Sequence, residues 1–180
     1  QFRFFRESEP YSVELQPASV RLDQSVGLDA ISSSKAHLKV PSFRSEFIQR
    51  QSWKKTVSDL SRFRHVIVDL RDNLGGNFVT MLRALSAFFC SPQTIGYLVQ
   101  PRKDLPVATQ SFPDNPVDQD QLDMIQRYQR IPLTTFPGYG CFSGSVTVLI
   151  NQATSSTAEI FAFAMNERNN TRVWGQPSAG

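Results

Sequence analysis

His65-Val66-Ile67-Val68-Asp69-Leu70-Arg71-Asp72-Asn73-Leu74-Gly75-Gly76 begins as an unbroken apolar run and ends in a polar loop closed by two glycines. Such a run, bounded by turn residues, is the mark of a strand covered on both faces. Downstream, Phe78, Met81, Leu82, Leu85, Phe88 and Phe89 recur at helical spacing, and residues 95–99 read as another strand. Strand, helix, strand in that order argues for an α/β domain with a parallel sheet and crossover helices. Upstream, residues 36–40 form a brief strand stopped by Pro41, and Phe47, Ile48, Trp53, Val57 and Leu60 predict a helix over 45–60.

The remaining chain fits around that centre. Residues 2–6 read as one arm of a hairpin, and residues 11–22 as two short strands or one broken by Pro17. Four prolines at 101, 106, 113 and 116 interrupt the rhythm, so 100–141 is expected to be an irregular insert with a helix at about 119–130. Residues 145–150 restore the sheet, a helix follows over 160–168, and residues 172–174 make a last short strand.

Composition bounds the function. The chain has 180 residues, 40% hydrophobic and 19% charged, enough for one domain with a hydrophobic core. The formal charge of +3 is mild and the basic residues are scattered, which gives no electrostatic case for nucleic acid. No apolar stretch reaches the roughly 18 residues of a membrane span. Cys90 and Cys141 lack a CxxC pattern or a nearby histidine. They read either as small buried apolar residues or as a disulfide, and no metal or other cofactor is implied.

Chemistry concentrates in two loops. Asn151-Gln152-Ala153-Thr154-Ser155-Ser156-Thr157-Ala158-Glu159-Ile160 sets four hydroxyls in a row where a strand gives way to a helix. A nucleophilic hydroxyl needs exposure on a tight turn, a base, and donors aimed at an oxyanion. The turn supplies the first, and the helix N-terminus adds unpaired N–H groups. The Gly75-Gly76 loop could add another donor, because glycine lets the backbone approach a substrate closely. Both loops fall at strand C-termini, where open parallel sheets bind ligands. The competing reading is plain: Ser156-Thr157-Ala158-Glu159 is a capping box, and glycine pairs after strands usually make turns.

The two loops together resemble the S41 peptidases, the family of tail-specific and C-terminal-processing proteases, tricorn cores and interphotoreceptor retinoid-binding protein modules. Val68–Gly76 resembles that family's DLR-x-N-x-GG segment, and Val148–Ile160 its nucleophile segment. Lys35–Phe43 and Trp174–Gly180 resemble two further strands, and residues 2–15 the last hairpin of a PDZ module. The resemblance implies a ClpP/crotonase-like core of repeated ββα units over 16–180, preceded at 1–15 by the end of a PDZ-like module or hairpin. Position by position, Ser156 matches the nucleophile, Glu159 its supporting glutamate, and the amides of Gly76, Gly75 and Thr157 the oxyanion hole. Ser155 and Leu74 depart from the alanine and proline common there, and the segment between the two motifs is longer than usual.

A serine without a base is a weak nucleophile. In the tail-specific branch the base is a lysine, which counts to the first position past Gly180. In the tricorn branch it is a histidine ahead of the PDZ module. His37 and His65 lie within predicted strands and read as structural residues. The expectation is therefore a piece of a longer protein, cut at both ends. The resemblance implies a serine endopeptidase acting on polypeptides in a periplasmic, lumenal or secreted setting. The alternative is a non-catalytic binder of apolar ligands or peptides on the same fold, which 14 phenylalanines would suit. A crotonase-type acyl-CoA enzyme would share the fold but lack the serine-bearing turn.

Overall fold

The computed structural model describes the backbone of residues 2–6, 9–13, 25–178 and 180, and side chains from residue 25 onward. Strands β1 (Phe2–Arg6) and β2 (Glu9–Val13) form an antiparallel hairpin. The second strand expected within 11–22 falls largely outside the described residues.

The centre is a five-stranded sheet in the order β3-β4-β5-β8-β9. It comprises β3 (Gly27–Ala30), β4 (Lys35–Lys39), β5 (His65–Asp69), β8 (Ser145–Ile150) and β9 (Thr171–Gly175). Only β3 runs antiparallel to its neighbour; β4, β5, β8 and β9 are parallel. Helix α1 (Arg50–Leu60) follows the β3–β4 pair, so the chain passes through a ββα unit before entering β5.

The pleat sorts the two faces. Ala36, Leu38, Val66, Val68, Val146 and Val148 point into one core with Leu82, Leu85, Phe88, Phe161 and Met165 from helices α2 (Phe78–Leu85) and α4 (Thr157–Asn166). The opposite face is only half covered. It carries the half-buried His37, His65, Ile67 and Thr147, so β5 is not buried on both sides as its apolar run predicts.

A second departure concerns β6 (Thr94–Val99). It does not extend the parallel sheet; it pairs antiparallel with β7 (Arg130–Thr134) in a separate two-stranded sheet. The parallel partner of β5 is β8, reached after the whole excursion. Within it, α3 (Asp118–Arg127) forms where the sequence predicts a helix. The excursion is also less irregular than expected, because Ala108, Phe112, Ile131, Leu133 and Tyr139 are all buried in the core. At its base Cys90 and Cys141 form a disulfide across a Cα–Cα distance of 4.9 Å.

Candidate active site

Because β4, β5 and β8 run parallel, their C-terminal ends share one edge of the sheet, and the loops that leave them meet there. Hydrogen bonds sew these loops together. The Leu70 N–H donates to the Leu149 carbonyl at 2.9 Å, and the Ser155 N–H to the Asn73 carbonyl at 3.0 Å. Asn151 and Asp72 bond reciprocally, the Asp72 N–H to Asn151 Oδ1 at 3.0 Å and Asn151 Nδ2 to Asp72 Oδ1 at 2.9 Å. On the other side, the Phe43 N–H and Ser42 Oγ both donate to the Gly75 carbonyl, and the Asn77 N–H donates to the Phe43 carbonyl.

Asn73 is the hub. Its side chain is fully buried, donates to the Val40 carbonyl at 2.9 Å and accepts the Gly75 N–H at 2.8 Å. Its amide thus ties the β4 and β5 loops, a task open to asparagine because it carries donor and acceptor side by side, while its backbone carbonyl takes the Ser155 N–H of the third loop. The sequence shows Asn73 inside the glycine motif but gives it no role. Its signal was a polar residue between a buried strand and a glycine pair, the setting of an Asx turn.

The four hydroxyls of the serine turn separate into different tasks. Thr154 is fully buried and donates to the Leu70 carbonyl at 2.9 Å while accepting the Asn151 N–H. Ser155 serves through its backbone. Thr157 Oγ1 is buried without a partner. Ser156 alone is exposed, and its backbone sits at φ 58° and ψ −127°, a region that costs a non-glycine residue on the order of 1–3 kcal/mol. Strain of this kind at a strand-to-helix turn pushes a side chain outward above a helix N-terminus.

The capping box is only half used. Glu159 Oε2 accepts the Ser156 N–H at 2.7 Å. The serine side chain faces the Glu159 amide without making a capping hydrogen bond, because that amide donates at 3.0 Å to the Ser156 carbonyl. The other carboxylate oxygen, Oε1, accepts Ser178 Oγ at 2.7 Å and the Gly180 N–H at 3.1 Å. The Ser178 hydroxyl, ahead of the two backbone N–H groups, holds Glu159 below its ordinary value.

The glycine loop presses directly on this turn. Gly75 has φ 92°, and a Cβ added to it would lie 2.8 Å from Ser156 Cβ and 3.0 Å from the Thr157 nitrogen. Gly76, at φ 148°, has no room either, since its Cβ would meet the Phe43 backbone at 2.5 Å. The two glycines differ in what their amides do. That of buried Gly75 is taken by Asn73, so Gly75 shapes the loop and is not a free donor. Gly76 is exposed, and among the described residues its N–H and that of Thr157 make no hydrogen bond.

Neither histidine reaches the turn. His65 bonds Ser145 Oγ at 2.8 Å and Thr147 Oγ1 at 3.2 Å, and His37 bonds Asp69 Oδ2 at 3.0 Å, all on the half-covered face. Asp69 also receives Arg71. Burial would raise its pKa, but the hydrogen bonds from Arg71 and His37 outweigh that and bring it to about 2. Among the described residues no group of three His, Cys, Asp or Glu is placed to hold a metal ion, and no helix is long and apolar enough to cross a membrane.

Comparison with known proteins adds three solved structures of the same fold. A lipoprotein from Streptococcus agalactiae superposes with a TM-score of 0.56 at 15% identity, over 88% of this chain and 51% of that one. The photosystem II D1 C-terminal processing protease gives 0.56 at 15%, over 87% and 34%, and mature CPAF 0.55 at 14%, over 81% and 38%. The chain thus spans between about a third and a half of these proteins. A search of curated proteins returns no match. The sequence profile described as Peptidase family S41 matches residues 35–180.

Proposed function

The chain belongs to peptidase family S41, and from that premise we propose that it forms the core of a serine endopeptidase whose nucleophile is Ser156. Ser156 Oγ attacks a peptide carbonyl as its proton passes to a base. The amine leaves, and water releases the acyl group from the serine. The N–H groups of Gly76 and Thr157 hold the oxyanion, each worth about 10²–10³ in turnover. Glu159 is a positioning residue that locks the serine's own N–H. The observation that carries this reading is the exposed Ser156 in strained backbone, pressed against Gly75 from a loop some eighty positions away.

The base lies outside the 180 residues, since both histidines are engaged on the other face of the sheet. Its two candidates are those the resemblance implies, a lysine after Gly180 or a histidine upstream of Gln1, while Glu159 holds both the Gly180 and Ser156 N–H groups. The substrate is a polypeptide, presented by the PDZ-like module whose last hairpin we assign to β1 and β2. The Cys90–Cys141 disulfide supports a periplasmic, lumenal or secreted setting, where such bonds persist.

The test is fluorophosphonate labelling of the full-length protein. Labelling is expected at Ser156 and lost in Ser156→Ala. Equal labelling of the variant removes Ser156 from its role, and an unlabelled wild-type protein that binds apolar ligands favours the non-catalytic alternative.

A further inference from the structure

Beside Gly76 the excursion builds a groove of about 430 Å3. One wall is the stretch from Arg44 to Glu46, the floor is Gly76 to Phe78, and the far wall is α3, which contributes Leu122 and Ile125. Helix α3 is docked firmly there. Asn77 Nδ2 donates to Asp118 Oδ1 at 2.7 Å and to the Pro116 carbonyl at 3.2 Å, and Phe78 stacks on Phe112 with ring centroids 5.9 Å apart. Asn77 is also the N-cap of α2, accepting the Thr80 N–H at 3.1 Å. The residue that starts the helix after the glycine loop therefore also fixes the wall of the groove.

The lining has a definite chemistry. Phe78, Leu122 and Ile125 are apolar, and Leu122 is 49% exposed at the mouth although it is a leucine, surface that an occupant would cover. Arg44 is neutralised by Glu46 at 3.2 Å, so that rim offers no free cation. Asp118 adds a carboxylate that disfavours an acidic guest. The floor is continuous with Gly76, one of the two amides assigned to the oxyanion.

We propose that this groove binds the side chain of a large apolar substrate residue flanking the scissile bond, with Leu122 and Ile125 as its specificity-determining residues. The inference rests on the peptidase reading of Ser156 and deepens it. It makes α3 a substrate wall, placed by Asn77 and by the half-buried Asp114 that anchors the preceding loop to Arg83 at 2.7 Å.

The experiment uses full-length protein and internally quenched peptides that differ only at the two residues flanking the cleaved bond, each set to Ala, Leu, Phe or Asp. Wild-type protein is expected to cleave the Leu or Phe peptides best and the Asp peptides worst at one of these positions. In Leu122→Asp, kcat/KM for the preferred peptides falls about 10-fold or more while the Ala peptide changes less than about 2-fold. Fluorophosphonate labelling of Ser156, which needs no side-chain pocket, keeps its wild-type rate. Because Leu122 is half exposed the variant folds, and Ile125→Ala reports from deeper in the groove with a smaller shift in the same sense. An unchanged Leu or Phe preference in Leu122→Asp, with labelling intact, overturns this proposal alone. Absence of labelling in wild-type protein overturns the peptidase reading and this proposal together.

Discussion

The serine cradle and the excursion over residues 92–140 are held by opposite means. In the cradle, three loops are joined by short bonds between backbone groups and small amides, centred on Asn73 and on two glycines with no room for a Cβ. The excursion is attached by buried apolar side chains and by side-chain clamps between residues far apart in sequence. The disulfide closes its base, and Asp114 receives Arg83, Arg50 at 2.6 Å and Tyr139 Oη at 2.6 Å. Burial first, and then the hydrogen bond to Asp114, pushes Tyr139 up to about 12. The difference separates two needs. A site that aims an oxygen and two N–H groups must be fixed to fractions of an ångström, whereas a wall for a side chain needs only to be kept in place.

The comparison breaks most visibly at Gly75. Gly75→Ala puts a methyl 2.8 Å from Ser156 Cβ and 2.9 Å from the Ser155 carbonyl at a positive φ. Fluorophosphonate labelling of the full-length protein should fall about 100-fold or more, since a displacement of about 1 Å at a nucleophile costs that much. Labelling at the wild-type rate would mean the two loops are not in contact. In the excursion, Asp114→Ala leaves Arg83, whose side chain is 3% exposed, without its partner. Urea unfolding should show a loss of about 3–5 kcal/mol, and a loss below about 1 kcal/mol would show that the clamp carries no stability.

Removing the disulfide by Cys90→Ala with Cys141→Ala releases a sequence separation of 51 residues, and the chain-entropy account gives at most about 4 kcal/mol. Labelling of Ser156 in that variant should stay within about 2-fold of wild type while the peptide preference set by α3 weakens. If labelling drops as sharply as in Gly75→Ala, the two regions are not separable. The smallest effect is on the half-covered face of the sheet. Asp69 has its folded pKa depressed to about 2, so its contribution, about 2 kcal/mol, is present above about pH 4. It is lost as the pH falls from about 4 toward 2. Asp69→Asn should flatten the acid limb of the stability curve in that window and leave the neutral limb parallel to wild type.

The same contrast governs what the sequence reveals. The cradle is local in pattern: an apolar run into a glycine pair, and a strand into a hydroxyl-rich turn, so both loops and their meeting at one sheet edge are readable from the residues. Not readable is how the donors divide. The motif treats Gly75 and Gly76 alike, and only Asn73, folded back on Gly75, distinguishes them. β3 escapes detection because Gly27 and Asp29 dilute its pattern, and β7 because Pro132 looks like a breaker, although an edge strand tolerates it. The excursion hides more. Asp114 finds its partners 64, 31 and 25 positions away, and no periodicity encodes such meetings. Whether a strand such as β6 joins the nearest sheet or turns back on a later segment is likewise decided by packing across the fold.

The Cys90–Cys141 bridge has a consequence for the molecule's survival among proteases. Between 101 and 120 most residues other than Ala108 and Phe112 are exposed, which makes the stretch open to cleavage, and it lies inside the covalent ring. A backbone cut there opens the ring without parting the chain, so the nicked protein migrates as a single species until a thiol is added and then separates into two fragments. A cut in the excursion would therefore leave the serine cradle on a molecule still held together.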